Sequence, residues 1–242
     1  MRHVVGDKSL IRKSRALHEG IRDYPAYSVH DAALILGMPR RTLQRWVYDK
    51  PIFTVAASEQ AQKFLSFKDL AQFYFLQFVR KHAHLTDWQA RKLLEYTKEV
   101  TGSEYPLLHE SIRVLPRHVF WEHKSRGSDE SRILELVRPK GQYVFQEIVN
   151  IFASRVDRNT RGWMLRLYPW RLWRSGDQRR PVSVDPYVMS GKLVITGTRI
   201  PAQAVATRRR QGETVRDIAR DYGLSQQIVM QSLRHLAIRK AA

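Results

Sequence analysis

Asp31-Ala32-Ala33-Leu34-Ile35-Leu36-Gly37-Met38-Pro39-Arg40-Arg41-Thr42-Leu43-Gln44-Arg45-Trp46-Val47-Tyr48 is the stretch on which the fold turns. Ala33, Gly37 and Leu43 stand four and then six residues apart. A small residue in one helix lets the next approach closely, and glycine permits the positive φ of a tight turn. The later apolar residue anchors the second helix on the first. This is the pattern of a helix-turn-helix, which sets its second helix in the DNA major groove. Pro39 is expected at a first-turn position, where its missing N–H costs nothing. Leu43, Trp46 and Val47 are expected to point inward. Arg40, Arg41, Thr42, Gln44 and Arg45 remain as candidate DNA contacts, since Arg pairs bidentately with guanine and Gln with adenine. The alternative is a solvated basic face on an ordinary helical hairpin.

The same spacing recurs near the other end of the chain, in Ala219, Gly223 and Val229. Tyr222 and Leu224 match Leu36 and Met38, but Ser232 stands where the first copy has Trp46. Ser225 is expected to cap a helix whose outer face is Gln226, Gln227, Met230, Gln231 and Arg234. That face is nearly neutral and carries a methionine, which suits an adaptable protein contact better than a phosphate. Dimer or partner packing is therefore preferred there to base reading.

Outward from the first copy, Phe67, Leu70, Ala71, Tyr74 and Phe78 follow the spacing of a buried helical stripe. Thr86 and Gln89 form a capping box for the next helix, with Trp88, Leu93 and Val100 facing the core. Pro51 ends the helix before it, and Ile52-Phe53-Thr54-Val55 reads as a short strand, the wing of a winged helix-turn-helix. Lys50 and Lys63 of that wing are further phosphate contacts. Strands are expected at 118–123, 133–137 and 163–168, and a helix through Val144–Phe152. Residues 171–181 read as a basic linker, and an all-helical module follows Pro201. The expected class is mainly α with small β elements (α+β). The expected divisions are 1–108 with a leading arm or short helix, a mixed 109–180 and a module at 181–242.

The chain has 242 residues and 43% hydrophobic residues, enough to bury real cores. Its 42 Lys and Arg against 23 Asp and Glu leave a formal charge of +19, which attracts polyanions. A ribosomal protein, a membrane-surface protein or one docking on an acidic partner has the same balance. With no cysteine, disulfides and thiolate metal sites are excluded. No apolar run reaches the ~20 residues that span a bilayer, and the first residues lack a signal-peptide core. A cytoplasmic protein without membrane attachment is the expectation.

Val184-Asp185-Pro186, then Ser190-Gly191-Lys192-Leu193-Val194-Ile195-Thr196-Gly197-Thr198-Arg199-Ile200-Pro201, continuing through Gly212-Glu213-Thr214 and Ile218–Leu224, resembles domain-of-unknown-function family 433, found in VapB-type antitoxins. From the residues themselves, Gly197 and the Arg199-Ile200-Pro201 step suggest a turn into a helix that Pro201 can open, and Thr198 is grouped with this motif as structural. Arg199 is read as structural, held by a carboxylate such as Asp185 or Asp217. Ser28, Ala32, Ala33, Leu36, Gly37, Thr42, Leu43 and Trp46, with Leu65-Ser66-Phe67-Lys68-Asp69-Leu70, are similar to the winged helix-turn-helix of MerR-type regulators. The whole layout resembles the longer two-domain antitoxins encoded beside a PIN-like ribonuclease toxin. That resemblance implies an antitoxin, not an enzyme, that binds its toxin and represses its own operon. It would act on operator DNA as a homodimer or within a toxin–antitoxin hetero-oligomer. Spacing and composition alone indicate only DNA binding.

Other signals point less far. Trp163, Trp170 and Trp173, interleaved with Arg166, Arg171 and Arg174, read first as core, second as a partner-docking surface and third as a base-stacking platform. His82 and His84 near Asp87 read as surface histidines and no metal or cofactor is expected. Glu130, Glu135 and Glu147 lack a spacing that demands a nuclease pocket. The rivals are a MerR-like regulator sensing a small molecule through 109–180, and a nucleic-acid enzyme.

Overall fold

The computed structural model describes residues 20–53, 55, 63–82, 85–103, 105, 108, 150–160, 162–169 and 179–237. The elements in order are β1 (Tyr27–Ser28), α1 (Val29–Leu36), α2 (Arg40–Gln44), β2 (Phe64–Leu65), α3 (Phe67–His82), α4 (Asp87–Thr101), β3 (Val156–Arg158), β4 (Met164–Leu167), β5 (Val182–Ser183), β6 (Val194–Ile195), α5 (Ala202–Arg210), α6 (Val215–Tyr222) and α7 (Gln226–Ala237). Among the described residues the strands pair as antiparallel twos: β1 with β2, β3 with β4, β5 with β6. The expected α+β class, mainly helical with small strands, is what the chain adopts.

Two cores hold these elements. The larger gathers α1 to α4 around Trp46, Phe67, Phe73, Tyr74, Phe75 and Phe78, and takes in Phe152, Val156, Met164 and Leu167 from the middle of the chain. Trp46 stacks on Phe73 at 6.1 Å, and Phe75 meets Phe152 edge-on at 4.8 Å. The smaller is built from Val182, Ile195, Ala202, Val205, Ile218, Ala219 and Val229. Among the described residues, Leu193 packs against both cores, and further contacts tie their elements together. Leu167 and Val184 exchange backbone hydrogen bonds of 2.9 and 2.8 Å. His235 Nε2 lies 3.3 Å from the Ile35 carbonyl, across two hundred residues of chain. Gly191 packs on the buried Tyr27.

Several local expectations hold. Thr86 and Gln89 close the capping box of α4 in both directions, and Met164–Leu167 is a strand. The stripe on α3 is wider than its spacing indicates, because Phe73, Phe75, Leu76 and Val79 are buried as well. A helix apolar on nearly every face is a central helix.

Other expectations are corrected. Among the described residues 52, 53 and 55 none lies in a strand, where the sequence predicts a wing. Ile52, Phe53 and Val55 instead plug the core, Phe53 lying 4.5 Å from Phe73. A short β-branched run with aromatic content serves as strand or core plug, and burial decided here. The strand that pairs in this region is Phe64–Leu65 with Tyr27–Ser28. After Gln44 the helix widens into a π-helical turn, Arg45–Asp49, before stopping. Pro39 and Pro201 are N-cap residues, one position earlier than expected, with ψ of 131° and 128°. Proline's fixed φ suits that extended position and its absent N–H is not needed there. Trp88 is 42% exposed, so Leu93 faces the core and Trp88 does not. The strands expected at 118–123 and 133–137, most of the Val144–Phe152 helix, the leading arm to residue 19, and His84 lie outside the described residues, as do the side chains of His82 and Val100.

Candidate nucleic-acid interface

The first helix-turn-helix is built by hydrogen bonds that its spacing announces. Ser28 caps α1, its Oγ accepting from the Asp31 N–H at 3.1 Å. Gly37 ends the helix in the left-handed region at φ 61°, ψ 34°. Met38 N–H then donates to the Ala33 carbonyl at 3.1 Å, and Gly37 N–H to Leu34 at 3.3 Å. This is a Schellman closure. Beyond it, Leu43 and Trp46 are completely buried.

The second copy repeats this bond for bond. Thr214 caps α6 by accepting from Asp217 N–H, and Gly223 sits at φ 64°, ψ 32°. Leu224 N–H donates to Ala219 at 2.8 Å, and Gly223 N–H to Arg220 at 3.2 Å. Val229 is completely buried and Ala219 nearly so. The pairs Ser28/Asp31 and Thr214/Asp217 thus extend the internal repeat toward its N-terminal side. The signal lay in the shared Ser/Thr-x-x-Asp spacing ahead of each alanine.

The two outer faces differ. On the first, Arg40 and Arg41 are exposed and make no ion pair among the described residues, while Thr42 and Gln44 are half-buried. Arg45 departs from expectation: its Nη2 lies 2.6 Å from Asp87 Oδ2, and Arg80 Nε reaches Oδ1 of the same carboxylate at 3.2 Å. Arg80 in turn covers the Trp46 ring at 5.5 Å. Arg45 is therefore occupied as a brace between the π turn and α4. Lys50 is exposed. Lys63 donates to the Val47 carbonyl at 3.2 Å and lies 5.6 Å over Tyr48, so it fastens the loop end to the helix. On the second face, Gln226, Gln227, Met230 and Arg234 are exposed, with Ser225 capping α7 through the Ile228 N–H. Ser232, at the place of Trp46, is buried and returns its hydroxyl to Ile228.

The motif around Gly197 resolves into structure with one exception. Gly197 takes φ 79°, Thr198 Oγ1 donates to the Ile195 carbonyl at 2.9 Å and accepts from Ile200 N–H at 3.0 Å. Pro201 then caps α5. Asp185, almost fully buried, is held by Arg166 at 3.0 and 3.2 Å and accepts from Tyr187 N–H. Asp217 is spent on the α6 cap. Arg199 is exposed and paired with neither, which corrects its reading as the partner of a buried carboxylate. Arg166 has that role, supplied by β4.

Trp163 is 42% exposed, which corrects its first reading as a core residue. Trp170 and Trp173 lie outside the described residues. The triplet Arg208-Arg209-Arg210 is not a loose cationic patch. Arg208 binds Glu213 and Asp221 and holds the Asp221 carboxyl below its ordinary range by a hydrogen bond. Arg209 donates to the Glu213 carbonyl in the loop after α5, and Arg210 to the Ala206 carbonyl one turn back.

Known proteins align with this arrangement. Residues 182–235, the segment from β5 into α7, match a family described as "Protein of unknown function (DUF433)". A Mycobacterium tuberculosis protein named "Putative antitoxin VapB45" is 27% identical over 225 residues, covering 84% of this chain and 90% of that protein. The X-ray crystal structure of Rv2018 from Mycobacterium tuberculosis superposes with a TM-score of 0.68 at 25% identity. It covers 87% of this chain and 98% of that one. The likeness therefore extends well beyond the C-terminal motif. Among the described residues, no helix is long and apolar enough to cross a membrane.

Proposed function

We propose that this chain is the antitoxin of a type II toxin–antitoxin pair, a DNA-binding protein and not an enzyme. It neutralises a PIN-like ribonuclease toxin encoded by the adjacent gene and represses its own operon. The observation that carries the DNA half is the exposed Arg40–Arg41 pair at the opening of a helix fixed by a left-handed Gly37. Side chains at the start of a recognition helix are the ones that reach base edges, and the charge of +19 draws the protein to a duplex. The toxin half is supported by the similarity to the protein named as a VapB antitoxin. The N-terminal 1–108 acts as the MerR-like reader, and the near-neutral face of Gln226, Gln227, Met230 and Arg234 suits a dimer or toxin contact.

The test is duplex binding as a function of salt, using the DNA upstream of the gene. Log K is expected to fall by about 0.9 per phosphate neutralised, so R40A/R41A lowers the slope by up to ~2. An unchanged slope and affinity would remove the first copy from the interface. The Asp87→Asn variant is expected to act in the opposite direction. It releases Arg45 and Arg80 from their shared carboxylate, and each guanidinium that reaches a phosphate adds about 0.9 to the slope. Co-purification of the full chain with the product of the adjacent reading frame tests the toxin half, and its absence would leave a regulator without a toxin.

A further inference from the structure

We propose that a cleft beside the first helix-turn-helix binds a small aromatic carboxylate, with Arg22 as its anion partner. This is independent of the operator and toxin reading above. The cleft has a volume of about 110 Å³ and is walled by Phe67, Tyr105, Leu108, Trp163 and Met164, with Arg22 and Lys68 supplying charge. Arg22 is 5% exposed. Its Nε has no hydrogen-bond partner, and among the described residues its guanidinium meets no carboxylate. A guanidinium cannot escape burial by losing its proton. A buried charge without a counter-charge is strongly unfavourable, and an anion entering the cleft relieves that.

The neighbouring carboxylates are already engaged. Lys68 Nζ holds Asp23 at 2.6 Å. Asp69 accepts from the Ser66 N–H and hydroxyl at 2.8 Å and from the Tyr105 hydroxyl at 3.3 Å. Asp185 is held by Arg166. Lys68 is neutralised by Asp23 and rests between two rings, 5.3 Å from Tyr105 and 5.4 Å from Trp163. Among the described residues, Arg22 is thus the guanidinium at the cleft without a carboxylate on it.

The walls define the rest of the molecule. A phosphate, compact and strongly hydrated, gains little from a wall of apolar and aromatic side chains and a single free guanidinium. A cavity of about 150 Å³ accommodates benzene in a protein core. The 110 Å³ space is smaller than that, so one ring seats in part, its carboxylate directed at Arg22 and its outer edge along the half-exposed Trp163 at the opening. The cleft lies against Phe67, the first residue of α3, whose helix also packs on Trp46 of the recognition unit. Occupancy therefore bears on the frame that carries Arg40 and Arg41.

The experiment is thermal unfolding of the full chain with sodium benzoate, benzamide or acetate at up to about 10 mM, a range that detects millimolar binding. Benzoate is expected to raise Tm with dose. Benzamide has the ring without the charge, acetate the charge without the ring, and neither should reproduce the rise. Arg22→Met is expected to abolish the benzoate response while unfolding, without ligand, no earlier than the parent chain. If R22M does not fold, Trp163→Ala at its solvent-exposed position decides, with benzoate affinity expected to fall at least about tenfold. The proposal is overturned by no response to benzoate, by an equal response to benzamide, by a response retained in R22M, or by W163A binding unchanged.

Discussion

Trp46→Ala is expected to lower the unfolding free energy by about 3–5 kcal/mol, the range for an aromatic residue removed from a packed core. Trp46 has no exposed surface, stacks on Phe73 and carries Arg80 on its other side. The hole would open where the π turn, α3 and the Arg45–Asp87–Arg80 brace meet, so operator binding should fall with stability. One detail separates packing from polarity. The buried indole Nε1 has no hydrogen-bond partner, and such a donor costs about 1–3 kcal/mol. Trp46→Phe loses ring area but also that unpaired donor, and should fall within about 1.5 kcal/mol of the parent, as near-conservative core swaps do. Urea denaturation at constant m-value measures both. A W46A midpoint close to the parent's would mean that the surrounding helices collapse into the space. Ser232→Ala, at the corresponding place in the second copy, removes one hydroxyl bond and should cost no more than about 1.5 kcal/mol. The two helix-turn-helix units share a turn but rest on different supports.

That contrast marks what was legible in the sequence. Features written within five or six residues were readable: the left-handed glycines at 37 and 223, the buried anchors Leu43 and Val229, the Thr86–Gln89 box and the Gly197–Thr198 turn. Each is closed by local hydrogen bonds, so spacing alone encodes it. What spacing does not encode is which distant group satisfies a charge. Arg45 meets Asp87 forty-two residues away, a pairing that its own neighbourhood does not announce. Asp185 meets Arg166 of β4 and not the nearby Arg199. Arg22, at the centre of the cleft, belongs to no motif at all. Its burial, with an unpaired Nε, is what singles it out. The apolar run at Ile52–Val55 failed for a different reason: a β-branched segment satisfies a strand pattern and a core plug equally well, and only the packing of Phe53 on Phe73 distinguishes them.

Gly191→Ala is expected to be strongly disruptive for a single added methyl, at about 2–5 kcal/mol. Met189, Ser190 and Gly191 hold φ values of 51°, 54° and 77° in succession, and a left-handed conformation costs an L-residue about 1–2 kcal/mol. The added Cβ would also stand 2.1 Å from the Tyr27 hydroxyl and 2.9 Å from Cζ, and overpacking of this kind costs about 1–3 kcal/mol. Tyr27 has little room to yield. It is 5% exposed, and burial, with the Asp185 charge adding to it, pushes its phenol well above the ordinary range. Gly197→Ala supplies the control, because Gly197 has φ +79° and a methyl added there would meet nothing within 4 Å. It should lose only the backbone part, about 1–2 kcal/mol. The difference between the two denaturation midpoints isolates the contact with Tyr27. Equal losses would show that the tyrosine moves aside. Tyr27→Phe in the Gly191→Ala background should recover part of the loss, since it removes the nearer atom and leaves the Cζ contact, and neighbours in contact couple by about 0.5–3 kcal/mol. Tyr27 precedes the Ser28 cap of the first helix-turn-helix, whereas Gly191 lies in the C-terminal motif. A separation of the two by one methyl group should therefore weaken operator binding even at temperatures where both cores stay folded. Such a loss would mean that this glycine keeps the C-terminal motif seated against the start of α1.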